Sequence, residues 1–184
     1  MTAPAPILSI PKTIVFIGMM GAGKSRIGRM LAEKLGLPFF DADTEIATAA
    51  NCSINEIFER HGEDSFREGE RRVIARLLAG PVHILATGGG AFMDAQTRAL
   101  IEKKALTIWL RADLEILLQR VKRRNTRPLL KKGDPREILE RLITERYPVY
   151  GHADIIIDSM DAPPEETAQR VYDSLASYLE KNNP

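Results

Sequence analysis

The chain has 184 residues, 44% hydrophobic and 28% charged, which suits a single globular domain and excludes bulk disorder. Its 26 basic and 25 acidic residues leave a net charge of +1, so a nucleic-acid-coating protein and an acidic solvating chain are both excluded. The lone Cys52 rules out an intrachain disulfide or a cysteine zinc cluster, no apolar run approaches the roughly 20 residues that span a bilayer, and the expectation is a cytoplasmic monomer that engages neither membrane nor nucleic acid.

Residues 1–11 carry Pro4, Pro6 and Pro11 and lack a secretory pattern, so they read as a loose extension before one domain over 12–184. The β-branched run Thr13 to Gly18 predicts a buried strand, and Lys24 to Leu35 places apolar residues at helical spacing before a Gly36 stop. Leu37 to Phe40 predicts a second strand ending in Asp41, and Thr44 to Ala50 has helical character. Ser53 and Glu56 form a capping box for one helix, and another helix is expected from Asp64 to Leu78. Val82 to Ala86 predicts a third strand, followed by Gly88, Gly89 and Gly90. A helix over Asp94 to Lys103, a strand over Leu106 to Leu110, and helices over Leu114 to Val121 and Pro135 to Arg146 follow. Asp154 to Ile157 and Pro164 to Lys181 predict the last strand and helix. Strands alternating with helices imply crossovers, hence a parallel sheet with helices on both faces.

Arg120 to Arg136 breaks this regularity with eight basic residues against one acidic residue, Asp134. It reads either as a solvated loop or as a lid over 120–136 whose cations close on phosphates.

Gly18 to Ser25 (GMMGAGKS) fits G-x-x-x-x-G-K-[ST] between a strand and a helix. Such a loop turns its N–H groups, and the positive end of the following helix, toward phosphate oxygens. Lys24 supplies a point charge to the β- and γ-phosphates, and the Ser25 hydroxyl can ligate Mg²⁺. The motif predicts a nucleoside triphosphate site.

The acceptor side is read from three further segments. Asp41 and Asp43 alternate beyond a strand end, where one carboxylate could reach a magnesium ion's waters and the other an attacking hydroxyl; capping of the following helix by Asp43 is the competing reading. Arg67 and Glu70 stand one turn apart, so Glu70 can hold Arg67 for a carboxylate, or the two form an ordinary surface pair. Gly88 to Gly90 offers backbone N–H groups and room for a ligand, or is a flexible turn. Arg146 ends a helix and could simply meet that helix's C-terminal dipole.

Taken together, the phosphate loop, FFDAD (39–43), GEDSFREGE (62–70), ATGGGA (86–91), TRPLL (126–130) and ERYPVYGHAD (145–154) resemble the shikimate kinases across roughly residues 12–158. The resemblance implies a three-layer α/β/α P-loop fold like that of nucleoside monophosphate kinases. It would have a five-stranded parallel sheet, a substrate-binding region at about 41–70 and a lid. It implies transfer of the γ-phosphoryl group of ATP to the 3-hydroxyl of shikimate, with Mg²⁺, on the route to chorismate and aromatic amino acids. By motif match, Asp43, Lys24 and Arg127 would be catalytic. Gly21, Ala22, Gly23, Lys24, Ser25, Arg26, Arg120 and Arg127 would hold ATP, and Ser25 and Asp41 the metal. Asp43, Arg67, Gly88, Gly89, Gly90 and Arg146 would hold shikimate. Arg26 departs from the small hydroxyl residue usual in the family, and the acidic segment Asp158 to Pro164 departs from the basic or hydroxyl residues that many relatives carry near the adenine. The competing functions are a gluconate or nucleoside monophosphate kinase of the same fold, and a noncatalytic ATP-dependent module binding RNA. The basic stretch lacks the interleaved aromatics an RNA binder would use.

Overall fold

A strand whose two faces are both covered by helices can be apolar throughout, and Thr13–Ile17 (β1) is buried at every position. The computed structural model describes residues 8–124 and 132–182. Within them the chain alternates as expected: Lys24–Leu35 (α1), Phe39–Asp41 (β2), Ala42–Ala50 (α2), Ile54–Leu78 (α3) and Ile84–Ala86 (β3) come first. A short 3₁₀ turn at Ala91–Met93 follows, then Ala95–Lys104 (α4), Ala105–Arg111 (β4) and Leu114–Arg123 (α5). Pro135–Tyr150 (α6), Ile155–Asp158 (β5) and Pro164–Asn182 (α7) complete the described elements.

The strands form one five-stranded sheet in the order β2-β3-β1-β4-β5, and every pairing is parallel. The three-layer α/β/α expectation is therefore met. The chain leaves β1 toward the β2 edge and β4 toward the β5 edge, which opens a crevice above the carboxyl ends of the central strands. The segments after β1, β2 and β3 all emerge there.

Two departures from the sequence reading bear on the site, at Asp43 and at Arg146. The two expected helices flanking residue 62 are both present within the span α3, and meet at a kink where Gly62 takes the non-helical φ 77° and ψ 179°. The Ser53–Glu56 capping box starts it as expected, with Glu56 N–H to Ser53 Oγ at 3.2 Å and Ser53 N–H to Glu56 Oε2 at 2.8 Å. α2 begins at Ala42, so Asp41 and Asp43 do not alternate along a strand. Asp41 is the N-cap, its Oδ1 accepting the Asp43 N–H at 3.0 Å; Asp43 lies in the first turn and is not the cap. α6 runs past Arg146 and through Pro148 to Tyr150, so Arg146 does not end its helix.

The main core lies around the sheet, and a smaller apolar cluster of Ile46, Ile57, Phe66 and Val73 joins α2 to α3. Phe58 and Phe66 stack with ring centroids 4.5 Å apart there. That second cluster holds α2 against the helical region carrying Arg67 and Glu70. Among the described residues, no helix is long and apolar enough to cross a membrane.

Candidate active site

The phosphate loop is shaped by its glycines. Gly18, Gly21 and Gly23 have φ of 144°, 80° and 97°, conformations that L side chains rarely adopt. A Cβ on Gly18 would also sit 2.7 Å from the Leu110 carbonyl oxygen. Gly23 stands at the N-cap of α1 with no side-chain cap, which leaves the first N–H groups of that helix facing the crevice. Lys24 is buried, and its Nζ donates to the carbonyls of Gly18 and Met19, each at 2.8 Å.

Ser25 and Asp41 meet at the mouth of the loop, with Ser25 Oγ donating to Asp41 Oδ2 at 2.5 Å. A hydroxyl and a carboxylate oxygen side by side form a donor set for a hard cation such as Mg²⁺. Among the described residues no group of three or more His, Cys, Asp or Glu could hold a metal alone.

These groups line a cavity of about 610 Å³ that also receives Arg26, Asp43, Gly88, Gly89 and Arg120. Arg67, Gly90 and Arg146 line a second cavity of about 290 Å³ together with Glu63, Asp94 and Glu145. The glycine run is the wall common to both, Gly88 and Gly89 on one side and Gly90 on the other.

The close approaches explain why that run is glycine. A Cβ on Gly88 would lie 3.2 Å from Asp43 Oδ1 and 3.5 Å from Glu70 Oε2; one on Gly89 would lie 2.7 Å from Arg146 Nη1. At Gly90 a Cβ would collide with the Arg67 guanidinium. So Asp43, Glu70, Arg67 and Arg146, drawn from three helices, converge on three consecutive residues. The run continues into the Ala91–Met93 turn, with Ala91 N–H to the Gly88 carbonyl at 3.2 Å, and is a built loop.

Arg67 is held as expected. Its Nη1 donates to Glu70 Oε1 at 2.7 Å, and Nη2 lies 3.7 Å from Glu63 Oε1. Glu70 is only 1% exposed, so this is no surface pair. Its other oxygen, Oε2, is buried without a hydrogen-bond partner in the protein. Burial pushes the Glu70 carboxyl above its ordinary range, Asp43 and Asp94 add to that, and Arg67 opposes it. Because the folded-state value is the higher one, the carboxyl favours folding most at low pH. That contribution is lost as pH rises from about 4.3 through the raised value. The protein is therefore expected to lose thermal stability relative to Glu70→Gln as pH rises through this window. Melting both proteins at a series of pH values checks it; a pH-independent difference between them would contradict the shift.

Arg146 is buried, 9% exposed, with its guanidinium against Gly89. Its place inside the fold removes the helix-dipole reading. Arg120 lines the nucleotide cavity but spends its guanidinium on the protein. Nη1 donates to the carbonyls of Gly21 and Ala22 at 3.2 and 3.3 Å and to Ser159 Oγ at 2.9 Å; Nη2 donates to the Met160 carbonyl at 2.8 Å. Ser159 Oγ in turn donates to the Ala22 carbonyl at 3.0 Å. Ser159 and Tyr150 were not singled out by sequence motif; a hydroxyl just past a strand and a tyrosine one turn after Arg146 were the available signals. Arg127, the candidate for the transferring phosphoryl group, lies outside the described residues, as does the central part of the 120–136 segment.

A family model described as shikimate kinase matches residues 20–176. A shikimate kinase of Paramagnetospirillum magneticum is 57% identical over 178 residues, covering 96% of this chain and 91% of that protein. One from Bradyrhizobium diazoefficiens is 55% identical, covering 91% of this chain and 81% of its own length. Among solved structures, shikimate kinase from Acinetobacter baumannii in complex with shikimate superposes with a TM-score of 0.87 at 36% identity, over 90% of this chain and 93% of that one. A gluconokinase from Sinorhizobium meliloti has a TM-score of 0.67 at 19% identity, covering 95% of this chain and 97% of its own, which speaks to the fold alone.

Proposed function

The chain belongs to the shikimate kinase family, and we propose from that premise how its residues carry phosphoryl transfer from ATP to shikimate. The observation that carries the reading is the convergence of Asp43, Arg67 and Arg146 on Gly88–Gly90, beside a complete phosphate loop. One carboxylate, two guanidinium groups and free space over glycine match a small ring acid bearing hydroxyls.

In this reading Arg67 and Arg146 grip the substrate carboxylate, with planar forks that favour a bidentate partner. Asp43 accepts the proton of the 3-hydroxyl as its oxygen bonds to the γ-phosphorus of ATP; the bond from that phosphorus to the ADP oxygen breaks, giving shikimate 3-phosphate and ADP. Lys24 and the loop N–H groups hold the phosphates. Ser25 and Asp41 would hold Mg²⁺, Ser25 directly and Asp41 through its waters; the ion would offset phosphate charge when bound. Arg127 would add charge at the transferring group, and Arg26 would stand beside the nucleotide. Arg120 serves ATP by fixing the loop's carbonyls, which leaves the loop N–H groups to the phosphates. A monomer working in the cytoplasm, supplying aromatic amino acid synthesis through chorismate, completes the reading.

The test is a coupled ADP-release assay with ATP·Mg²⁺ and shikimate, gluconate or nucleoside monophosphates offered separately. Turnover with shikimate alone is expected; preference for gluconate or a nucleotide would overturn the reading. The carboxylate grip has its own test. Arg67→Lys and Arg146→Lys keep the charge but lose the fork, and each is expected to weaken shikimate binding about tenfold or more, or about 1.4 kcal/mol. Calorimetry with shikimate and its methyl ester checks this. Equal binding of acid and ester would remove the grip.

A further inference from the structure

Tyr150 is 0% exposed and closes α6. Its ring lies against Trp109, centroids 5.7 Å apart. Its O–H donates to the Gly89 carbonyl, and the Arg146 guanidinium stands beside the same glycine. Burial raises the phenol above its ordinary value, against the opposing effect of Arg146 and Arg67, so it remains a donor at neutral pH.

The consequence follows from the planarity of the peptide unit. The described residues contain no cis bond, so the Gly89 C=O and the Gly90 N–H lie in one plane and point in opposite directions. Fixing the carbonyl toward the core through Tyr150 fixes the N–H away from the core. Among the described residues, no backbone carbonyl takes the N–H of Gly89 or Gly90. On the same residues stand the two guanidinium groups, Arg146 against Gly89 and Arg67 against Gly90. A glycine pair has no side chain to hold such a peptide, and glycine's conformational freedom would let it rotate.

We propose that Tyr150 is a positioning residue for the acceptor site: through its bond to the Gly89 carbonyl it locks the Gly89–Gly90 peptide so that the Gly90 N–H faces an oxygen of the substrate between Arg67 and Arg146. The role rests on the shikimate reading above. Tyr150 touches no reacting atom; it acts through the peptide. Its neighbour Tyr147 provides a matched control, because its O–H also donates to a backbone carbonyl, that of Ala112, well away from the glycine run.

The experiment is steady-state kinetics of the full chain and of Tyr150→Phe and Tyr147→Phe, with both substrates varied, beside thermal melts. For Tyr150→Phe, KM for shikimate is expected to rise about tenfold, with kcat and KM for ATP changed by less than about threefold. Tyr147→Phe is expected to melt at a similar temperature to Tyr150→Phe while keeping the KM for shikimate of the unsubstituted protein. A KM for shikimate within about twofold of that protein in Tyr150→Phe, or an equal rise in both KM values, would overturn the role. An unsubstituted protein inactive on shikimate would overturn the proposed reaction itself, and this role with it. If Tyr150→Phe does not fold, the amide resonance of Gly90 in the unsubstituted protein decides. It is expected to move downfield on adding shikimate, and an unmoved resonance overturns the role.

Discussion

Asp43→Asn is expected to lower turnover about 10²-fold or more while leaving ATP binding nearly unchanged. The amide keeps the shape of the carboxylate but cannot take the proton of the attacking hydroxyl. The structure separates this role from helix stability, because Asp41 is the residue that caps α2. Asn at position 43 leaves that cap in place, so the melting temperature should hardly change. Asp43 also stands with Glu70 around Gly88, and its charge adds to the burial that raises the Glu70 carboxyl. Rapid-quench measurement of shikimate phosphorylation at saturating ATP checks the chemical step directly. Near-normal turnover would leave Asp43 without a catalytic role.

Lys24→Met is expected to cost about 10² to 10³ in kcat, the range for removing one preorganised group that stabilises transition-state charge. Methionine keeps the length and apolar stem of lysine and loses only the ammonium. In the structure that ammonium is held by the Gly18 and Met19 carbonyls, at the base of the loop. It is therefore in place before any phosphate arrives, and reorganisation on binding is small. ATP affinity should weaken as well, since a ground-state contact to the phosphates is lost. Single-turnover kinetics at several ATP concentrations separates the two effects. A loss in kcat below tenfold would assign Lys24 to binding rather than catalysis.

What the sequence could and could not show has physical causes. Patterns within one segment were legible: the loop motif between strand and helix, the Ser53–Glu56 box, and Arg67 one turn from Glu70. The five parallel strands followed from alternation of short β-branched runs with longer amphipathic ones. Element ends were less clear, because they depend on tertiary contacts. Asp43 looked like a cap for Thr44 to Ala50, yet a carboxylate two residues earlier takes that place; either residue type suits the position. The partners of Arg120 and Tyr150 come from segments 99 and 61 residues away in sequence, and no local spacing encodes them.

Trp109, the only tryptophan of the chain, lies in β4 with its indole N–H buried and unpartnered. A Cβ on Gly18 would be 3.5 Å from its Cδ1, and Tyr147 and Tyr150 meet its ring edge to face. The protein thus carries its single tryptophan wedged between the phosphate loop and the tyrosine that braces the glycine run. Each substrate perturbs a different wall of that chromophore's surroundings. The order in which the two ligands bind can therefore be followed by stopped-flow emission in the unlabelled protein, with ATP and shikimate giving separable signals.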